Sequence, residues 1–409
     1  MDVLLLVVRN VNYEYVVMGG PFSMSYRFRR GGKRNSRSPQ NIVLPIITII
    51  LAIVLVVFLW IDQINEKKKS LEIRALSESI SQQEKEAQEL LENKKLEDSF
   101  YQKLEDNFAV NVLIVGDSIG TGAGIETDGQ QWFTQLQSYL RKINKNSVSL
   151  TNVSMGGNTS YAGYVRTEML DDDINYDLAI ICYGQNDSLD DFSTYYESII
   201  RSIKNKYPDC SIISILESSQ REYSEKMTMI QSICEHYHIP VADTIAAFNN
   251  SGKDYDDLTN DGIHPNDAGQ KIYFETVKTI IDNNIATTTG KMEHVDIINN
   301  DVNKFDNFVW YGSDTDFDRI DDTTFIMNPS LSISGVLGID YTYESGDNKA
   351  DIYIDGKLYK SPTVTFNYDS SQRHIMVVSD DCTVEKQIKI VFNSKEQANG
   401  FYGICFSWK

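Results

Sequence analysis

The stretch VNVLIVGDS, Val110 to Ser118, decides how this chain is read. An apolar, β-branched run ends in Gly116, Asp117 and Ser118, so the serine stands directly after a strand. A strand apolar at nearly every position is buried on both faces, as in a parallel sheet covered by helices. Gly120, Gly122 and Gly124 follow, permitting a tight turn and close approach of a substrate. A lone Gly-Asp-Ser is equally an ordinary turn, so the weight rests on what surrounds it.

Outward from this strand the pattern repeats, from Ala109 to about Asn284. An amphipathic stretch around Trp132, Phe133, Leu136 and Leu140 precedes a strand at 148–153. LAIIC (Leu178 to Cys182), Ser211 to Leu216 and Pro240 to Ala242 read as further strands with helices between them. Such alternation predicts a parallel sheet with helices on both faces, joined by right-handed crossovers. Loops at the carboxyl ends of its strands form the ligand site. Ser118, then Gly157 and Asn158, then Gly184, Gln185, Asn186 and Asp187 fall in successive loops of that kind. Asp261, Gly262, Ile263 and His264 precede the last helix.

A serine hydroxyl attacks an ester when a base takes its proton and donors stabilise the oxyanion. His264 is the candidate base, and Asp261, three residues upstream, can hold its tautomer and stabilise the imidazolium. The Asp-x-x-His-Pro-Asn stretch can instead be a helix cap, with Asn266 and Asp267 serving the backbone. Candidate oxyanion donors are the backbone N–H groups of Ser118 and Gly157 and the side-chain amide of Asn186. His236 and His238 lack a third ligand, and with His294 and His374 they read as surface or packing residues. No metal and no cofactor is expected.

The four blocks together resemble the SGNH hydrolase family, also called GDSL esterases, over residues 110–285. Gly116, Asp117 and Ser118 with Gly122 are similar to its first block, Asn152 with Gly156, Gly157 and Asn158 to its second, Gly184 to Asp187 to its third, and Asp261, His264, Pro265 and Asn266 with Gly269 to its last. The resemblance implies a flavodoxin-like α/β fold. It makes Ser118 the nucleophile, His264 the base and Asp261 its orienting carboxylate, with Ser118, Gly157 and Asn186 as the oxyanion hole. Gly157 is preferred to Gly156 because Asn158 and Thr159 after it fit the family pattern.

The run IVLPIITIILAIVLVVFLWI, Ile42 to Ile61, carries no charge and is long enough to cross a hydrocarbon core of roughly 30 Å as a helix. Arg27, Arg29, Arg30, Lys33, Arg34 and Arg37 precede it, which places residues 1–41 in the cytoplasm; Lys67, Lys68 and Lys69 on the far side weaken that bias. No small-residue cleavage site follows Trp60, so the run reads as a signal anchor of a single-pass membrane protein with everything after residue 61 outside the cell. Residues 1–23 precede a second methionine, and Met24 is the expected initiator. Residues 62–107 are charged and free of Gly and Pro, predicting a helical stalk. Ile73, Ile80, Ala87 and Tyr101, with Leu76, Leu90 and Leu104, give a partial coiled-coil seam.

The hydrolase-like domain is expected at 108–287 and a second domain at 291–409. The second reads as a β-sandwich: short alternating runs rich in Val, Ile, Tyr, Phe and Thr, with Asp355 and Gly356 marking a hairpin. Trp310, Tyr311, Tyr341, Tyr343 and Trp408 could stack on sugars or fill the sandwich core. Asp314, Asp316 and Asp318 resemble the opening of a calcium loop, but Arg319 replaces the turn glycine and Phe325 stands where a glutamate belongs, so an acidic solvated loop is expected. Five cysteines cannot all pair within one chain; Cys182 and Cys210 read as buried thiols, while Cys382 and Cys405 could pair.

The formal charge of −20 argues against nucleic acid or anionic polymers as partners by bulk electrostatics. An anchored extracytoplasmic esterase removing O-acyl groups, acetyl first among them, from a glycan is the expectation, and few cysteines suit a Gram-positive surface. The alternatives are an O-acetyltransferase fed by a separate membrane acyl donor and a non-catalytic surface-binding protein.

Overall fold

The apolar runs sort into a helix, a parallel sheet and two antiparallel sheets in the computed structural model, which describes residues 40–97, 99–287 and 296–409. Met24, the basic cluster from Arg27 to Arg37, Gly290 and His294 lie outside the described residues. The chain divides into units at 1–85 and 86–409.

In the first unit the apolar run and the charged stretch after it form one helix, α1 (Gln40–Glu97), which continues into the second unit. Over Thr48–Gln83 it is long and apolar enough to cross a membrane. Ile73, Leu76 and Ile80 of the expected seam are exposed.

The second unit begins its core with α2 (Phe100–Glu105). Phe100, Tyr101 and Leu104, read from sequence as stalk, are instead buried against the parallel sheet. Lys103 Nζ pairs with the buried Asp177 Oδ1 at 2.6 Å, and Asp177 Oδ2 accepts from the Asn111 N–H at 2.7 Å. The pair ties α2 to the amino-terminal ends of the central strands that start at Val110 and Leu178, and the seam assigned to Tyr101 and Leu104 gives way to tertiary packing.

Strands β1 (Val110–Gly116), β2 (Val148–Asn152), β3 (Leu178–Cys182), β4 (Ser211–Leu216) and β5 (Val241–Asp243) form a wholly parallel sheet in the order 2-1-3-4-5. Period-two alternation divides β1 between two cores. Val112 and Ile114 join α2, α3 (Trp132–Ile143) and α8 (Asp267–Thr287) on one face. Leu113 and Val115 join α4 (Ser160–Glu168), α5 (Phe192–Lys206) and α6 (Glu225–His236) on the other. The short α7 (Thr244–Asn249) follows β5. In this order the chain turns back between β1 and β3, and the crevice beyond their carboxyl ends is where a doubly wound fold binds its ligand.

The C-terminal strands make two antiparallel sheets around a core of their own. One runs β11 (Lys357–Lys360), β10 (Gly346–Ile354), β14 (Ile388–Phe392), β8 (Thr324–Met327) and β7 (Asp318–Arg319), with β12 (Thr363–Phe366) also on β10. The other runs β13 (Gln372–Val384), β9 (Ile333–Tyr343), β15 (Phe401–Trp408) and β6 (Asn307–Gly312), and α9 (Lys395–Asn399) precedes β15. Asp355 (φ 50°) and Gly356 (φ 82°) form the expected hairpin turn between β10 and β11. Tyr341 and Tyr343 are core residues and not sugar platforms, whereas Trp408 stays at the surface. Cys382 and Cys405 are free thiols. They sit on β13 and β15, with β9 between, and strands two apart lie about 10 Å from one another, beyond the reach of a disulfide. Asp316 accepts from the Gly312 N–H at 2.8 Å, so the Asp314–Asp318 stretch is a self-bonded turn.

The two halves of this unit share a core. Phe305, Val336, Ile375 and Cys405 belong to the same buried cluster as Tyr161 and Tyr164 of α4. Tyr161 Oη meets Cys405 Sγ at 3.4 Å, and a Cβ on Gly338 would lie 2.2 Å from that oxygen. Tyr161→Ala should therefore destabilise the chain by about 3–5 kcal/mol, whereas truncating the exposed Tyr368 should change little. Denaturant unfolding of both variants checks this.

Candidate active site

The turn after β1 is built from backbone acceptors held in place. Asp117 is fully buried and its Oδ1 accepts from the Ile119 N–H at 2.9 Å, so the chain bends tightly at Ser118. The Trp132 Nε1–H donates to Ile119 O at 3.0 Å and Asn152 Nδ2 to Gly120 O at 2.9 Å, pinning the turn from α3 and β2. A Cβ on Gly120 would lie 2.6 Å from Ser154 Oγ and 2.8 Å from the Gly116 Cα, so only glycine lets the turn fold back so closely.

The loop before α8 is clipped onto this turn. Fully buried Gln270 donates to Ala123 O and Pro265 O, at 3.0 and 3.2 Å, and accepts from the Trp132 N–H at 3.0 Å. Asn260 Nδ2 donates to Gly124 O at 2.6 Å, and Asp267 Oδ1 accepts from the Glu126 and Thr127 N–H groups. The clip brings His264 Nε2 to 2.8 Å from Ser118 Oγ, while His264 Nδ1 meets Asp261 Oδ2 at 2.6 Å. With Nδ1–H donating to Asp261, Nε2 is left to accept the serine proton. Burial alone would raise the Asp261 carboxyl, but the backbone N–H and ring of His264 and the Ile263 N–H together hold it down at about 2. The helix-cap reading of the Asp-x-x-His-Pro-Asn stretch holds alongside these contacts, since Asn266 Oδ1 accepts from the Ala268 and Gly269 N–H groups at the start of α8.

The expected donors lie on the loops after β1, β2 and β3. The Ser118 and Gly157 N–H groups make no hydrogen bond within the protein among the described residues. Gly157 has φ of 69°, and Gly156 lies close enough that a Cβ on it would sit 3.8 Å from the Ser118 Cβ. Asn186 Nδ2 donates to Asp117 Oδ2 at 3.1 Å and to Asn158 O at 3.0 Å. Both its N–H groups are thus engaged at rest, and donation to an oxyanion requires sharing one of them.

Residues 114–272 match the model of the GDSL-like lipase/acylhydrolase family. The chain carries a GDSL-like lipase/acylhydrolase domain. Two solved structures resemble the chain beyond this domain: a two-domain esterase active on acetylated mannans, co-crystallised with mannopentaose, and the same type of esterase without it. The first has a TM-score of 0.61 at 14% identity over 77% of this chain and 96% of that one; the second has 0.60 at 15% over 79% and 95%. At that identity the likeness is one of fold. No curated protein matches the sequence.

Three buried carboxylates cluster at the Ser118 turn of the GDSL-like domain. Asp117, Asp187 and Glu217 are each pushed upward, first by burial and then by neighbouring groups of the same kind for Asp117 and Glu217. Asp187 Oδ1 is bound by the Ser160 N–H and hydroxyl, at 2.9 and 2.6 Å, and Glu217 Oε1 by the Cys182 thiol at 3.4 Å. Glu217 lies at the end of an apolar strand run, with no signal in the sequence that it would join this cluster.

The contribution of β13 is also invisible in sequence. Asn158 is buried; its Oδ1 accepts from the Ile375 N–H at 2.9 Å, and its Nδ2 donates to Arg373 O at 2.8 Å and Gly156 O at 2.9 Å. A Cβ on Gly157 would lie 2.9 Å from Gln372 Oε1 and 3.0 Å from His374 Cε1, so the antiparallel sheet backs the oxyanion loop directly. A larger cavity of about 700 Å³ along α8 contains none of these residues.

Removing the Asn158 amide strands a buried N–H and a carbonyl. Asn158→Ala should lower stability by about 2–3 kcal/mol, read from denaturant unfolding. His374, expected to be a surface or packing residue, stacks on Tyr343 at 4.2 Å, and burial lowers it to about 4. Unfolded chains take up that proton near pH 6.5 while the folded chain resists it until about pH 4, so stability should fall through this window by up to about 3 kcal/mol. His374→Phe should flatten that part of the profile of melting temperature against pH; an unchanged slope would assign it to other groups.

Proposed function

We propose that the chain is a serine esterase that removes O-acyl groups, acetyl first among them, from a glycan, with Ser118 as nucleophile. The observation that carries this is the unbroken line Asp261–His264–Ser118, at 2.6 and 2.8 Å, inside a GDSL-like domain. His264 Nε2 takes the Ser118 proton as Oγ attacks the ester carbonyl. The oxyanion is received by the Ser118 and Gly157 N–H groups and by Asn186. His264 then returns the proton to the departing sugar oxygen, leaving acyl-Ser118, and water attacks with His264 again as base before carboxylic acid is released. The fold shared with esterases active on acetylated mannans supports an acetylated glycan as substrate, and α1 supports anchoring to the membrane with the GDSL-like domain outside the cell. A sugar hydroxyl in place of water would make the same intermediate a transferase intermediate.

Hydrolysis of acetylated manno-oligosaccharide and of nitrophenyl acetate by the full chain tests the reading. Ser118→Ala and His264→Ala should each lower kcat by about 10⁴ or more, and Asn186→Ala by about 10²–10³. Asp261 is held down at about 2, so mild acidification should not cost activity through protonation of Asp261, and Asp261→Asn should instead lower kcat at every pH. Acetate release that survives Ser118→Ala in a folded chain would refute the assignment, and acetylated acceptor sugar in place of free acetate would make the enzyme a transferase.

A further inference from the structure

A cavity of about 250 Å³ opens beside the oxyanion loop, lined by Ser154 and Gly156 on one side, Arg166 of α4 below, and Gln372 and Arg373 of β13 opposite. Two donors facing this region have no acceptor among the described residues: Arg166 Nε and Ser154 Oγ are both buried and unpartnered. Arg373, a donor only, offers them no acceptor, and its own charge is already met. Its Nε and Nη2 bind both oxygens of the buried Asp340, at 2.8 and 2.6 Å, and its guanidinium lies 3.6 Å over the Tyr402 ring. Two guanidinium groups therefore face one carboxylate, leaving one positive charge uncompensated in a chain whose formal charge is −20. Burial, and then Arg373, disfavour the charge on Arg166. A buried cationic donor without an acceptor is costly, and such groups in a folded protein call for a partner.

We propose that this cavity is a subsite for an anionic group, a carboxylate or a phosphate, carried by the glycan whose ester is presented to Ser118. The proposal rests on the esterase reading above. Planar guanidinium N–H groups match carboxylate and phosphate oxygens, and the Ser154 hydroxyl adds a neutral donor. Gly156 joins the two sites: it lines the cavity, and a Cβ there would be 3.8 Å from the Ser118 Cβ. A sugar with its acyl group at Ser118 thus places a neighbouring substituent at the arginine. The chain as a whole is strongly acidic, so selectivity for a charged sugar needs a local cationic donor such as Arg166.

The test compares kcat/KM of the full chain on three acetylated oligosaccharides of equal length: neutral, uronic-acid-bearing and phosphate-bearing. Ser118→Ala supplies the blank. The expected result is a preference of about tenfold to a hundredfold for one charged substrate over the neutral one, the worth of a charge-assisted hydrogen bond, with the preferred arm telling carboxylate from phosphate. Arg166→Gln should abolish most of that preference, and Arg166→Lys should keep part of it. No preference in the wild type, or an unchanged preference in folded Arg166→Gln, overturns the subsite while leaving the esterase reading intact. Hydrolysis that persists in Ser118→Ala instead overturns the esterase reading, and the subsite with it. Should the Arg166 variants not fold, the wild type decides alone. Glucuronate or inorganic phosphate should inhibit Ser118-dependent hydrolysis of nitrophenyl acetate in a salt-sensitive way while glucose does not; equal inhibition by glucose and glucuronate overturns the proposal.

Discussion

One buried amide joins the parts of this molecule that matter for chemistry. Asn158 bonds through its side chain to the backbone of β13 on both sides of His374, to Gly156 within its own loop, and through its carbonyl to Asn186. The side chain thus fixes the Gly156–Gly157 loop against the antiparallel sheet, while the backbone carbonyl of the same residue holds the Asn186 amide that arrives from β3. The Ile375 N–H and the Arg373 and Gly156 carbonyls would each lose a partner without the side chain. The aromatic contacts of Tyr161 and Tyr164 with Phe305 and Cys405 add apolar area to the same seam. The second domain is in consequence part of the floor of the site and not an appendage to it.

The site itself divides into an exposed and a buried half. Asp261 and His264 are partly open to solvent, where an ion pair is weak, and their alignment is enforced by the backbone N–H groups of Ile263 and His264 and by the Gln270 clip. Behind Ser118 lie Asp117, Asp187 and Glu217, buried and raised. Acceptors in that layer hold the Ser118 turn, the start of α4 and the Asn186 amide. Such a layer suits preorganisation, since groups fixed before reaction need not reorganise during it.

Much of this was legible. The strand pattern, its termination at Ser118 and the four polar blocks pointed to a parallel sheet and to one cluster of residues, because an uninterrupted apolar run and a strand-to-loop serine are local features. The coiled-coil seam failed at Tyr101 and Leu104, where heptad spacing coincided with the apolar face of α2 and packing against α8 and the sheet prevailed. The aromatics were undecidable for a related reason: Tyr341 on a strand looks the same in a core as on a binding face until the second sheet covers it.

By itself the sequence determined which residues could do chemistry, the type of each domain and the apolar segment of α1. Period, propensity and charge act within a few residues of one another and need no partner from elsewhere. Tertiary structure alone decided that β13 would back Gly157, that Glu217 would lie under Ser118, and that the Arg166 Nε would be buried near Arg373 with no partner among the described residues. Those relations join positions up to more than two hundred residues apart. They depend on how closely two sheets and a helix can pack, which no local pattern encodes.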